Sequence, residues 1–516
     1  MSTSRELLQR LERLNQIGVA LSAERNTDRL LELILLAAKE LAGADAGTLY
    51  LIEDGQLKFE ILRTDSLGIE LGGSAEQKPN FPPIPLCRPD GEPNQDMVVA
   101  CAVIYDRTIN IEDAYDAGSY DFSGTRLFDN KTGYRSKSFL TVPMKNHENK
   151  IIGVLQLINA LDPMGHIIPF SPASQQLVES LASQAAIALT NRQLIDQLEK
   201  LFESLINLIN TAIDDKSPYT GGHCERVPVL TMMLAEAVHQ NYEGPLKDFH
   251  MSDADRYELK IAGLLHDCGK ITTPVHVVDK ATKLQTLFDR IELLACRTEI
   301  LKRDAEIACL KGEIGTDVRD ARIQAAVADL AFLRSVNLGG EAMSAEQQDR
   351  VRQIARQTLN MPDDGQAPFL TDDECENLCV AKGTLTAAER EVINHHIVVT
   401  INMLEALPWP GHLQHVPEYA GGHHERMDGR GYPKGLRREQ MSLQARMMGI
   451  ADVFEALTAG DRPYKPPMKL SQALAIMRNM AASGHIDPDL FDVFVQKGVH
   501  LEYARKYLTP EQLDIS

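Results

Sequence analysis

Residues 421 to 435 read GGHHERMDGRGYPKG: two adjacent histidines, then an Arg, an Asp and a Gly-Tyr-Pro turn. Neighbouring side chains on a helix point about 100° apart, so His423 and His424 cannot share one helical face as a simple chelating pair. Each could serve a different metal ion, one could be a ligand while the other packs, or both could decorate a loop. Residues of the same chemical kind recur elsewhere. His266 and Asp267 interrupt the apolar run IAGLLHDCGK (261–270), and Asp452 sits in RMMGIADVFEAL (446–457), which is apolar almost all round. A carboxylate in such a setting is usually paired or coordinates a cation, because burying it alone is costly. His223 lies in YTGGHCER (219–226), and His396 stands beside His395 in EVINHHIVV. Taken singly, each reads as a salt bridge or a core hydrogen bond. Taken together, His223, His266, Asp267, His396, His423, His424 and Asp452 point away from that reading.

The elements that must position them follow from periodicity and caps. YTGGHCER opens a helix, and Ser252-Asp253-Ala254-Asp255 is a helix N-terminus leading into the run that ends at His266. Thr386-Ala387-Ala388-Glu389 is a capping box, so a helix is expected from there through residue 404. On it Val392, Ile393 and Val399 are apolar, which turns His396 towards the core, although spacing alone does not exclude His395. Further upstream, Leu194, Leu198, Leu201, Leu205, Leu208 and Ala212 are spaced 4, 3, 4, 3 and 4, an a/d seam. One face packed on its own domain is the plain reading of that seam. Its place between two domains favours a parallel coil and a homodimer through residues 194–212.

The frame is set by 516 residues, enough for two or three domains. With 44% hydrophobic and 24% charged residues the composition is that of ordinary soluble protein. No apolar run reaches membrane-spanning length, and MSTSRELLQRLER begins in a polar helical pattern, not a signal peptide. The formal charge of −20 argues against general affinity for DNA or anionic membrane, while leaving room for a small anionic ligand at a local basic cluster. The eight cysteines lack zinc spacing, and free, buried thiols are expected at Cys224 and Cys268. A cytoplasmic location fits.

Between residues 28 and 190 the pattern is helix, short strands, helix. TLYLI (48–52) and LKFEIL (57–62) flank Glu53-Asp54-Gly55 as a hairpin, FLTVPM (139–144) and IIGVLQLI (151–158) repeat the idea, and a helix from Ser174 to Leu194 closes the unit. DNKTGYRSKSFLTVPMKN (129–146) and IIGVLQLINALD (151–162) resemble GAF domains, the small-ligand sensor module of cyclic-nucleotide phosphodiesterases. An unknown small ligand, or transmission of dimer geometry alone, is what that resemblance implies. The C-terminal half, through YTGGHCER, His266-Asp267 with Gly269-Lys270, HHERMDGRGYPKG (423–435) and ADVFEALTAGDRPYK (451–465), resembles the HD-GYP family. This is a branch of the HD metallohydrolases that cleaves cyclic di-GMP.

The fold expected is therefore multidomain: an N-terminal helix (1–27), an α+β GAF domain (28–190), a coiled-coil helix (191–213) and an all-α HD-GYP domain (214–516) with a helical insertion at about 281–385. The resemblance implies that His223, His266, Asp267 and Asp452 form the HD quartet, that His396, His423 and His424 are additional ligands, and that Asp267 bridges. Alignment on TINMLEAL (400–407) selects His396 over His395. Lys270 is expected to offset phosphate charge, and Arg462 and Lys465 to contact the nucleotide. Asp428, Gly431, Tyr432 and Pro433 shape the loop. Some family members hold a third metal through a Glu four residues before the first histidine; Tyr219 stands there, so two ions are expected. Five imidazoles and two carboxylates suit Fe, Mn or Zn and not Mg or Ca. Two such ions can activate a water and clamp a phosphodiester for in-line attack.

The second departure is larger, because His266 and His396 stand 130 positions apart. The excess includes KLQTLFDRIELLACRTEILKRDAEIACL (283–310), expected as one long amphipathic helix with a stripe of Leu284, Leu287, Phe288, Ile291 and Leu294, returning in a helical hairpin. The activity implied is hydrolysis of cyclic di-GMP to the linear dinucleotide pGpG, with onward cleavage to GMP open. The alternatives are another cyclic dinucleotide such as cyclic GMP-AMP, or a non-catalytic signalling module on the same fold.

Overall fold

The structure is a computed structural model. It describes residues 2–118, 120–216, 222–339, 342–360, 365–460 and 467–515, with the side chains of 2–11 left aside. The chain forms two compact units, Met1–Leu201 and Phe202–Ser516.

In the first unit, helices α1 (Ser2–Ala23) and α2 (Thr27–Ala42) precede an antiparallel sheet. Asn26 caps α2 by accepting from the Arg29 amide, and Gly43 ends it in the left-handed conformation. The strands are β1 (Ala44–Glu53), β2 (Gln56–Thr64), β3 (Ile69–Leu71), β4 (Ile84–Pro85), β5 (Ile109–Ile111), β6 (Phe139–Lys145), β7 (Ile151–Leu161) and β8 (Ile167–Ile168). Their order is β3-β2-β1-β7-β6-β5, with β4 against β2 and β8 against β7. The two expected hairpins form: Glu53 pairs with Gln56 around Asp54 and Gly55, both at positive φ, and β6 pairs with β7. Helices α3 (Val98–Ile104) and α4 (Ser123–Thr132) lie in the β4–β6 connections, and α5 (Pro172–Lys216) follows the sheet. Leu30, Ile34 and Leu35 of α2 and Val178, Leu181 and Ala185 of α5 share one core with Leu49, Leu140 and Leu155 of the sheet. A cavity of about 370 Å³ in this unit is lined by side chains including the aromatic Tyr50, Phe59, Phe81, Phe122 and Tyr134.

The second unit is helical. Its core joins Leu230 and Leu234 of α6 (His223–His239), Leu259 and Ala262 of α7 (Asp253–Leu265), and Met448, Ile450 and Phe454 of a later helix. After α7 and a short α8 (Val275–Val278) the insertion begins. It comprises α9 (Ile291–Leu310), α10 (Thr316–Asn337), α11 (Ala345–Ala355), the two-stranded β9 (Thr358–Asn360) and β10 (Gln366–Pro368), and α12 (Asp372–Leu378). Leu284, Leu294, Leu333, Val351, Ile354, Phe369 and Leu378 give it a core separate from that of the helical unit. The long helix expected from Lys283 is shorter. Residues 283–290 form a turn in which Leu284 N and Lys283 N bond the side-chain and main-chain oxygens of Asn337, and Arg290 Nε bonds Leu284 O. Leu284 O accepts from Arg290 and not from the amide four residues on, as a helix would require; Leu284 is buried while Leu287 is left 95% exposed.

The chain then continues through α13 (Ala387–Asn394), α14 (His396–Glu405), α15 (Val416–Gly421), α16 (Leu443–Thr458), α17 (Leu470–Ala482), α18 (Pro488–Gln496) and α19 (Val499–Tyr507). The capping box at Thr386 is present, and the helix expected through residue 404 runs as α13 and α14, separated only by His395, whose backbone keeps right-handed helical dihedrals. All eight cysteines are free, with Cys224 and Cys268 buried. Among the described residues no helix is long and apolar enough to cross a membrane.

Candidate metal centre

Seven side chains from five parts of the helical unit converge. His223 is the first residue of α6, His266 and Asp267 follow α7, His396 opens α14, His423 and His424 follow α15, and Asp452 lies on α16. The adjacent histidines both turn inward from the turn that follows α15, which ends at Gly421, so the 100° rule for helix neighbours does not govern them. Their ring centroids are 4.2 Å apart, and His424 stacks on Tyr432 at 4.8 Å. His395 is exposed and His396 buried.

Among the described residues, two groups bring donor atoms within 4.8 Å of one another: His223, His266 and Asp267, and His396, His423 and His424. Asp267 faces both. Its Oδ2 lies 3.1 Å from His223 Nε2 and 3.2 Å from His266 Nε2, while its Oδ1 lies 3.3 Å from His396 Nε2. Asp452 Oδ1 is 3.3 Å from His223 Nε2. Lys270 Nζ donates to Asp267 Oδ2 at 2.6 Å.

The imidazoles are oriented by a repeated local device. His266 Nδ1 bonds Gly263 O at 2.7 Å, His423 Nδ1 bonds Ala420 O at 2.6 Å, and His396 Nδ1 bonds Ile393 O. In each case the acceptor is the carbonyl three residues back, so Nδ1 carries the hydrogen and Nε2 turns its lone pair inward. Asp267 Oδ1, His396 Nε2 and His423 Nε2 are then buried acceptors without a hydrogen-bond partner. Burial, with the neighbouring His424, pushes His423 well below the usual imidazole range, and burial pushes His424 down to about 4. Both are held neutral, the form that ligates. Burial alone would raise Asp267 and Asp452. Lys270, His266 and His223 outweigh it at Asp267, and His223, His424 and His423 at Asp452, holding both carboxylates ionised. Burial would also lower His223, but Asp267, Asp452 and Glu455 outweigh it and draw positive charge to that ring. Orphaned acceptors, neutral imidazoles and ionised carboxylates facing one another fit divalent first-row cations.

Main-chain contact tightens the surroundings. A Cβ on Gly269 would stand 2.1 Å from His396 O and 2.6 Å from Thr400 N, and the Gly269 amide bonds Thr400 Oγ1 at 2.9 Å. Gly431 similarly lies against the main chain of Glu425 and Arg426. The Glu425 carboxylate receives the amides of Lys434 and Leu436, and Asp428 receives Arg426 and the Arg430 amide, which fixes the loop carrying Tyr432 and Pro433. A cavity of about 390 Å³ beside the centre is lined by residues including His424, Tyr432, Asp452, Arg426, Arg430 and Met480. Arg462, Lys465 and Tyr219 lie outside the described residues. Sequence reasoning missed Glu455, buried against His223 and Arg226. Its signal was its position three residues after Asp452, on the same helical face.

The chain matches the GAF domain family over residues 26–189 and HD domain families over 220–330 and 372–490. A GAF-domain match is thus followed along the chain by two HD-domain matches. Among curated proteins it is 48% identical over 81 residues to 3'3'-cGAMP-specific phosphodiesterase 1 of Vibrio cholerae, 16% of this chain and 19% of that protein. It is 25% identical over 289 residues to 3'3'-cGAMP-specific phosphodiesterase 3 of the same organism, 56% of this chain and 37% of that protein. It is 51% identical over 75 residues to a cyclic di-GMP phosphodiesterase of Pseudomonas aeruginosa, 14% of this chain and 17% of that protein. The chain thus spans less than half the length of each of these relatives.

Proposed function

We propose that the helical unit is a metal-dependent phosphodiesterase that opens cyclic di-GMP to the linear dinucleotide, with GMP as the product of any second cleavage. The observation that carries the reading is Asp267, whose two oxygens face two separate histidine groups as a bridging carboxylate would. His223, His266, Asp267 and Asp452 would hold one ion and His396, His423 and His424, with Asp267, the other. Two such ions, Fe or Mn before Zn, would polarise the phosphate and activate water for in-line displacement. The protein's own part is to keep His423 and His424 neutral, to aim the imidazoles, to hold Asp267 ionised, and to present Lys270. That ammonium lies against Asp267 and would offset the charge of an incoming phosphate. Arg462 and Lys465 are the proposed nucleotide contacts.

Cyclic GMP-AMP is the second reading, supported by relatives named for that substrate at an identity close to that of the cyclic di-GMP enzyme. Chain loaded with ferrous iron or manganese and incubated with each dinucleotide separates the two by chromatography of products. Cyclic di-GMP is expected to be turned over faster. A chain that binds metal and cleaves neither would overturn the enzyme reading and leave a signalling module. We further propose that the GAF domain regulates turnover through a small ligand and that residues 194–212 mediate a homodimer.

A further inference from the structure

We infer that Glu455 is a positioning residue for His223 and sets how strongly that histidine holds a cation; the inference rests on the metal-centre reading above. His266, His396 and His423 each lock their ring through the carbonyl three residues back. His223 differs: it is the first residue of α6, after Gly222 at φ 82°, and its Nδ1 meets a carboxylate. That carboxylate belongs to Glu455, on another helix, α16. Glu455 Oε2 accepts from His223 Nδ1 at 2.5 Å, and Oε1 accepts from Arg226 Nε at 2.8 Å and Nη2 at 2.6 Å. Each carboxylate oxygen therefore has its own partner, and the side chain is only 1% exposed.

The spacing makes the device coherent. His223 and Arg226 are three apart on α6, and Asp452 and Glu455 three apart on α16, so facing rows of two helices carry both the ligands and their support. A carboxylate acceptor differs from a carbonyl in one respect that matters. Its charge makes the imidazole a stronger donor at Nε2, and a metal-bound histidine backed by a carboxylate is held in both tautomer and orientation. Arg226 keeps that carboxylate from being an uncompensated buried charge.

The competing account is a plain buried ion pair that fastens α6 to α16. That role would lower the stability of the metal-free protein without changing its relative affinity for cations. The test titrates Mn²⁺ into metal-free full-length wild type, E455Q and E455M, reading free Mn²⁺ by electron paramagnetic resonance. The melting temperature of each metal-free protein is measured alongside. Wild type is expected to take up two ions per chain. E455M should lose about 10–100-fold in affinity at one position and less at the other. E455Q keeps the shape but cannot satisfy His223 and Arg226 together, so it should show an intermediate loss, and it carries the test if E455M does not fold. Wild-type affinities at both positions in E455Q, whatever its melting temperature, would overturn the inference. Wild type that takes up no Mn²⁺ would overturn the metal-centre reading and this inference with it.

Discussion

Asp267 concentrates the chemistry of the helical unit in two oxygen atoms. Because Oδ2 faces His223 and His266 while Oδ1 faces His396, D267A should release both ions, whereas H424A should weaken chiefly one. Metal analysis after gel filtration distinguishes them, and full metal retention in D267A would exclude a bridging role. Gly269 offers a test that touches no ligand. Its missing Cβ is what lets the segment after Asp267 lie on the start of α14, so G269A must push apart the elements carrying Asp267 and His396. Overpacking of this kind costs about 1–3 kcal/mol, and the expected result is a lower melting temperature together with weaker metal retention. An unchanged melting temperature would mean that α14 can shift without loss.

At the scale of elements, α5 presents an unpartnered seam. Leu194, Leu198, Leu201, Leu205 and Leu208 are between 45 and 65% exposed, five large apolar side chains in heptad register on one helix. Such a stripe is stabilised by burial against a like stripe, and Lys at two of its positions places like charges in the seam. L201K with L205K should convert a dimer to a monomer in sedimentation equilibrium, or uncouple turnover from the GAF domain. Unchanged mass with unchanged regulation would reject the coil.

At the scale of the molecule, the insertion is a structure with its own core, inserted where its two ends meet. Lys280 O accepts from Thr384 Oγ1 at 2.9 Å, and the buried Lys280 ammonium pairs with Glu389 at 2.7 Å and Asn377 at 2.6 Å. Lys283 is likewise buried and donates to Leu378 O and Val380 O, so a cut that spares it would strand a buried ammonium. Replacing 281–385 with a short Gly-Ser link keeps the Lys280–Glu389 pair and closes a short gap, and loop closure varies only slowly with length. The shortened protein is expected to bind two ions and keep basal hydrolysis. A folded deletion that binds both ions but has lost all turnover would make the insertion part of the active site.

The local part of this protein is legible in its residues. The hairpins at Asp54-Gly55 and 146–149, the caps at Ser252 and Thr386, and the histidines and carboxylates of the centre all follow from short-range rules, because turn dihedrals, caps and side-chain periodicity act over a few positions. What lay outside their reach was set by packing between distant segments. Residues 283–290 carry a helical stripe yet form a turn that is pinned at Lys283 and Leu284 by Asn337, far along the chain. The His423-His424 pair defied the helix rule because α15 had ended. Glu455 reads as one more polar residue until the core brings α16 onto α6 and sets it against His223, 232 positions away. The sequence by itself determined which donors exist and which local elements carry them. Only the tertiary structure decided which oxygen of Asp267 meets which histidine, because angles between helices arise from interlocked core side chains and from no spacing along the chain.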